Sequence, residues 1–171
     1  MIRLFILILM SVMVFAAEDI SKSKLEVSAN LFEVDMQNNQ FIAEKDVKIK
    51  QGDLLILADK ANYTDIKEVI NLHNNIEVFY KKLKINCQEM VYNRKKFIIT
   101  ASGKLKVYFE DISIEGKELQ YDINKNIGYF HGKTVIHKKE NLINGSDIVF
   151  DMNTKKIYSK EETKFTLDKI Q

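Results

Sequence analysis

The sequence predicts an all-β fold: an elongated antiparallel β-stack of five 29-residue, two-strand repeats, creased lengthwise into a V. Three observations carry this. A small residue recurs at a constant spacing of 29 with no gaps, at Ala29, Ala58, Cys87, Gly116 and Gly145. Internal periods of this size mark stacked repeat architectures. Inside each unit, apolar residues alternate with period two, the signature of a strand. Short polar breaks separate the alternating runs, which suits antiparallel hairpins rather than long crossovers.

Residues 1–17, "MIRLFILILMSVMVFAA", differ in kind from the rest. Arg3 and the amino terminus give a positive start, Leu4 to Phe15 an apolar run of twelve, and Ala16 and Ala17 small residues for a peptidase. This pattern predicts a cleaved secretory signal peptide, with one domain over residues 18–171. A comfortable membrane span needs about 20 apolar residues. No Cys sits at the cut, which argues against a lipoprotein anchor. The alternative is that residues 4–15 are kept as an anchor.

Each unit then opens on an alternating run. Leu54, Ile56 and Ala58 form one, Leu83, Ile85 and Cys87 the next, then Ile112, Ile114 and Gly116. Parity slips by one before Phe32, Ala61, Met90, Leu119 and Ile148, which predicts a bulge or bend. The small residue is expected where that bend crowds the interior, and Gly there also tolerates unusual dihedrals. Two residues further stand Val34, Tyr63, Tyr92, Tyr121 and Phe150. A polar turn follows ("DMQNN", "TDIKE", "NRKKF", "DINKN", "DMNTK"), opened in three units by Asp35, Asp122 or Asp151. Asp in such places bonds its own backbone two or three residues on. The return strand carries Phe41/Ala43, Ile70/Leu72, Ile99/Ala101 and Ile157/Ser159. After a second break come Val47/Ile49, Ile76/Val78/Tyr80, Leu105/Val107/Phe109, Thr134/Ile136 and Thr163/Phe165/Leu167.

Two functional expectations follow from this stack. Its end strands expose unpaired backbone groups, and the chain has no Pro to blunt them, so head-to-tail assembly by edge pairing is expected. The alternative is that terminal residues cover those edges. The inward residues are aliphatic and aromatic throughout, so the interior is either a dry core or a long greasy groove for acyl chains.

The segment Leu25 to Tyr63, "LEVSANLFEVDMQNNQFIAEKDVKIKQGDLLILADKANY", resembles the start of the LptA/OstA-like family of periplasmic lipopolysaccharide-export bridge proteins. The matching phrases are Val34-Asp35-Met36-Gln37, Asp46-Val47-Lys48-Ile49-Lys50-Gln51-Gly52 and Ile56-Leu57-Ala58-Asp59-Lys60. Gly103 to Asp122 is similar to the family's second half, and the resemblance covers Leu25 to Phe150. Asp46 and Lys117 depart from the family's usual Gly and Asp.

The resemblance implies an OstA-like β-jellyroll open along one side. It would shield the acyl chains of lipopolysaccharide or lipooligosaccharide between inner and outer membrane. Its implied partners are inner-membrane LptC-type and outer-membrane LptD-type components, joined by edge-strand pairing, and further copies of itself. It implies no chemistry and no cofactor. The groove lining is expected from Ile49, Ile56, Ala58, Tyr63, Ile76, Val78, Ile85, Tyr92, Leu105, Val107, Ile114 and Tyr121, with Lys48 and Lys50 as lipid-phosphate contacts. The same fold serves the anchored LptC-type component, which is the second reading. A purely structural, polymerising β-stack is the third.

The remaining residues give a chemist little. Net charge is +2, so no nucleic-acid partner is expected. One Cys excludes an internal disulfide, and its place in the Ala/Gly column predicts a buried small hydrophobe. His73, His131 and His137 lack the spaced partners of a metal site. No phosphate loop, Ser-His-Asp set or nucleophile elbow is present, and the chain reads as a non-enzyme.

Overall fold

In a computed structural model, residues 20–64, 68–139, 141–159 and the backbone of 166–169 are described. Among them are twelve strands and no helix. These are β1 (Leu25–Ser28), β2 (Leu31–Asp35), β3 (Gln40–Gln51), β4 (Leu54–Thr64), β5 (Val69–Tyr80) and β6 (Leu83–Asn93). Then come β7 (Ile98–Phe109), β8 (Ile112–Asp122), β9 (Ile127–Lys138), β10 (Asn141–Asp151), β11 (Lys156–Ser159) and β12 (Thr166–Lys169). All pair antiparallel in one sheet, in sequence order from β3 to β10. At one end β1 and β2 share β3; at the other, β11 and β12 share β10.

Every long strand is kinked midway, and the kinks are bulges. Between β3 and β4 the pairs Glu44↔Lys60 and Val47↔Ala58 enclose two residues on one strand and one on the other. The pairs His73↔Glu89 and Ile76↔Cys87 do the same between β5 and β6. The extra residues take left-handed backbone: Lys45 and Asp46, Asn74 and Asn75, Gly103 and Lys104, then Gly132. Such residues bend a strand and raise its twist. The turn residues at positive φ also recur every 29 residues, at Asn39, Glu68, Phe97, Asn126 and Lys155, and at Gly52, Lys81, Glu110 and Lys139. The sequence interval is therefore written into the backbone.

One expectation about the bend needs correcting. Gly116, in the small-residue column, has ordinary dihedrals; the unusual ones fall on the neighbouring strands. Gly116 is small for packing instead, since a Cβ there would lie 3.3 Å from Phe130 Cδ1.

The kinks divide the sheet into two facing layers. The first holds β1, β12 and the half-strands flanking the turns at 52–53, 81–82 and 110–111. The second holds β2, β11 and the half-strands flanking the turns at 36–39, 94–97, 123–126 and 152–155. Their inward faces form one core that runs from Ala43 and Ile49 through Ile85 and Ile99 to Phe150. The crease lies along the bulges, and the two rows of turns meet opposite it as a mouth. The turn acids behave as expected: Asp35 Oδ1 accepts from Gln37 N and Asn38 N, Asp122 Oδ1 from Lys125 N, and Asp151 Oδ1 from Asn153 N.

Candidate functional site

The interior surface is built by alternation. In β4 the buried set is Leu54, Ile56 and Ala58, then Ala61 after the bulge, so the parity slip keeps one face inward on both sides of the kink. Of the expected lining residues, Ile49, Ile56, Ile76, Val78, Ile85, Tyr92, Leu105, Val107, Ile114 and Tyr121 are at most 2% exposed. Ala58 is also buried, and Tyr63 is half-buried. All twelve therefore lie on one continuous apolar surface. Lys48 and Lys50 alternate with Ile49 and stand exposed on the opposite, outer face of the first layer.

Along the mouth the layers are joined by three pairs. Tyr92 Oη donates to Gln51 Oε1 at 3.0 Å. Tyr80 meets Tyr121 edge-on at 6.5 Å, and Phe109 meets Phe150 edge-on at 5.5 Å. Each pair links a residue ending a first-layer strand to one 41 positions later in the second layer. Burial pushes the Tyr92 and Tyr121 phenols well above their ordinary range, so both stay neutral hydrogen-bonding groups. Gln51 Nε2 also donates to the carbonyls of Ile20 and Ser23, which draws the segment before β1 over this part of the mouth. Sequence reasoning missed Gln51 as an inward residue. Its place in the Tyr80/Phe109 column, 29 and 58 positions earlier, is the signal that finds it.

Near β2 this register runs out. The residue 41 positions before Tyr63 is Lys22, which is exposed. The second layer's inward column there comes to the surface: Phe32 is 48% exposed and Val34 56%. Phe32 stacks on Phe41 at 5.1 Å, and Phe41 on Tyr63 at 4.9 Å. A row of aromatic faces thus leads from solvent into the buried core. With Leu31 and Met36 also exposed, these residues make a contiguous apolar patch of the kind that serves as a contact surface.

Among the described residues the buried polar or charged side chains are Gln51 and Thr134. Cys87 is buried, and burial, aided by the nearby Glu89 charge, pushes its thiol up to about 12, so it carries no thiolate at neutral pH. Among the described residues no group of three or more His, Cys, Asp or Glu could hold a metal ion. His73 Nδ1 lies 2.6 Å from Glu89 Oε2, an exposed pair across β5 and β6.

Comparison with known proteins agrees with this architecture. The family described as "LptA/(LptD N-terminal domain) LPS transport protein" matches residues 26–156. Among solved structures, LptH of Pseudomonas aeruginosa is similar. It is described as the LptA homologous periplasmic component of the conserved lipopolysaccharide transport device. The likeness covers 65% of this chain and 84% of that one, at 18% identity and a TM-score of 0.62, and it shows a shared fold. No curated protein matches by sequence. The family match takes in both layers from β1 to the start of β11, and the chain belongs to the LptA/LptD N-terminal-domain family of LPS transport proteins.

Proposed function

We propose that this protein is a periplasmic carrier that shields the acyl chains of lipopolysaccharide or lipooligosaccharide on the way from inner to outer membrane. One observation carries the reading. The apolar inner face is continuous through every long strand and surfaces beside β2 as the Phe32–Phe41–Tyr63 row. Moving acyl chains through water costs about 0.8 kcal/mol per methylene, so an unbroken apolar track removes a barrier that no single pocket could. Export through the segment 1–17, outside the described residues, would place the carrier in that compartment.

The interior is closed over most of its length, so a guest must part the layers. A chain of about 12 methylenes gains on the order of 10 kcal/mol on leaving water.

Assembly follows from the ends of the sheet. Among the described residues β1 and β2 pair only with β3, and β11 and β12 only with β10. Each end can add a strand from a further copy, from an LptC-type component at the inner membrane or from an LptD-type component at the outer membrane.

A photo-crosslinking residue at Phe41 or Ile85, carried in cells making lipopolysaccharide, tests the transport reading. Crosslinks to lipopolysaccharide at both positions are the expected result. The buried state of the lining favours a second reading, a polymerising stack with a dry core. In that case neither position labels and no lipid copurifies.

A further inference from the structure

The mouth holds a feature that the transport reading does not use. Where the turns at 81–82 and 110–111 face those at 123–126 and 152–155, a cavity of about 270 Å³ opens between the layers. Its wall is apolar, formed by Tyr80, Leu83, Phe109, Tyr121 and Met152. Among the described residues its rim carries Lys81, Lys82 and Lys155 around one acid, Glu110. Glu110 Oε1 accepts from Lys82 Nζ at 2.6 Å, within the first layer. Glu110 Oε2 accepts from Lys155 Nζ at 2.5 Å, and Lys155 belongs to the opposite layer. Lys81 Nζ lies 5.0 Å from the centre of the Tyr80 ring. One carboxylate thus ties the two rows of turns together over an apolar hollow.

We infer that Glu110 is a displaceable latch: the phosphate of an acylated, phosphorylated lipid takes its place between Lys82 and Lys155 while an acyl chain enters the cavity below. This deepens the transport reading and rests on it. Three arguments favour that occupant. Three lysines face one acid, so the rim keeps positive charge for an incoming anion even with Glu110 in place. The cations are reachable, with the Lys82 side chain 69% and the Lys155 side chain 54% exposed. Exposed ion pairs are also weak enough for a dianion to displace, whereas the buried Tyr92–Gln51 bond is not open to competition from solvent. The phosphate releases Glu110 from Lys155 but itself bridges Lys82 of the first layer to Lys155 of the second, so it is the acyl chain entering the cavity beneath that parts the layers.

The test places spin labels at Asp111→Cys and Thr154→Cys, exposed neighbours of the latch on opposite layers, in a Cys87→Ala background. The probes are dodecyl phosphate, dodecyl maltoside with the same chain and no charge, and inorganic phosphate, with binding followed in parallel by calorimetry. Dodecyl phosphate is expected to lengthen the label distance; the other two are not. Glu110→Gln is expected to lengthen it with no lipid added. Lys82→Ala with Lys155→Ala is expected to weaken dodecyl phosphate binding about tenfold. Bound dodecyl phosphate with an unchanged distance overturns the latch and leaves transport standing. Lengthening by dodecyl maltoside or by inorganic phosphate alone overturns the role assigned to the phosphorylated lipid. Failure to bind either dodecyl phosphate or lipopolysaccharide overturns both readings.

Discussion

Tyr92 and Gln51 show how a single polar pair is held inside an apolar mouth. The tyrosine is fully buried, and its hydroxyl satisfies an amide oxygen that water does not reach. Tyr92→Phe keeps the ring and strands Gln51 Oε1. A buried acceptor left without a donor costs about 1–3 kcal/mol, and urea denaturation of the variant should show a loss in that range. Glu110 makes a different, pH-dependent prediction. Its hydrogen bonds to Lys155 and then Lys82 hold the carboxyl at about 2, below an ordinary 4.5. A depressed acid stabilises the fold above its unfolded value and loses that contribution as pH falls through the folded one. The stability advantage of the native protein over Glu110→Gln should therefore be full above pH 4.5, shrink below it and close near pH 2. Thermal melts of both proteins across that window measure it; a gap that stays constant would mean Glu110 acts through packing alone.

At the scale of the strand, the kink is the element that makes the fold. Gly103 and Gly132 both sit at φ of +74°, but their surroundings differ. A Cβ on Gly103 would lie 3.0 Å from Gln88 Cβ, while one on Gly132 meets nothing within 4 Å. Each Gly→Ala change carries the left-handed backbone cost of about 1 kcal/mol. Only Gly103→Ala adds a steric term, so it should be the more destabilising by chemical denaturation, with the difference reporting contact alone. The sequence made the kinks legible because inward columns at a spacing of 29 survive every substitution among Ala, Cys and Gly, and because parity slips at the same place in each unit. The acids after the aromatic column were legible too, since Asp35, Asp122 and Asp151 have a local job. The mouth was not. Glu110, Lys82 and Lys155 occupy turns whose composition varies freely from unit to unit, and their meeting depends on how far one layer is offset from the other. Nothing in a period of two or of 29 encodes that offset. It becomes visible only in pairs such as Phe109 with Phe150.

Across the whole molecule, that offset explains why the track is sealed in the middle and accessible beside β2. It also decides which substitutions are informative. Ile85→Asp puts a charge into a fully buried site, so binding and fold would be lost together. Val34→Asp puts the same charge into the column of Tyr63 and Tyr92 in the second layer, where the side chain is 56% exposed. Its stability should stay within about 0.5 kcal/mol of the native protein, as for other exposed positions. If lipid enters along the Phe32–Phe41–Tyr63 row, crosslinking from a probe at Ile85 should nonetheless fall sharply. The outer-face pair Lys48→Glu and Lys50→Glu reverses two charges without touching that surface, and lipid crosslinking at low salt should be unchanged. If instead the outer-face variant loses lipid and Val34→Asp keeps it, the cargo travels over the outside of the first layer and the interior is only a core.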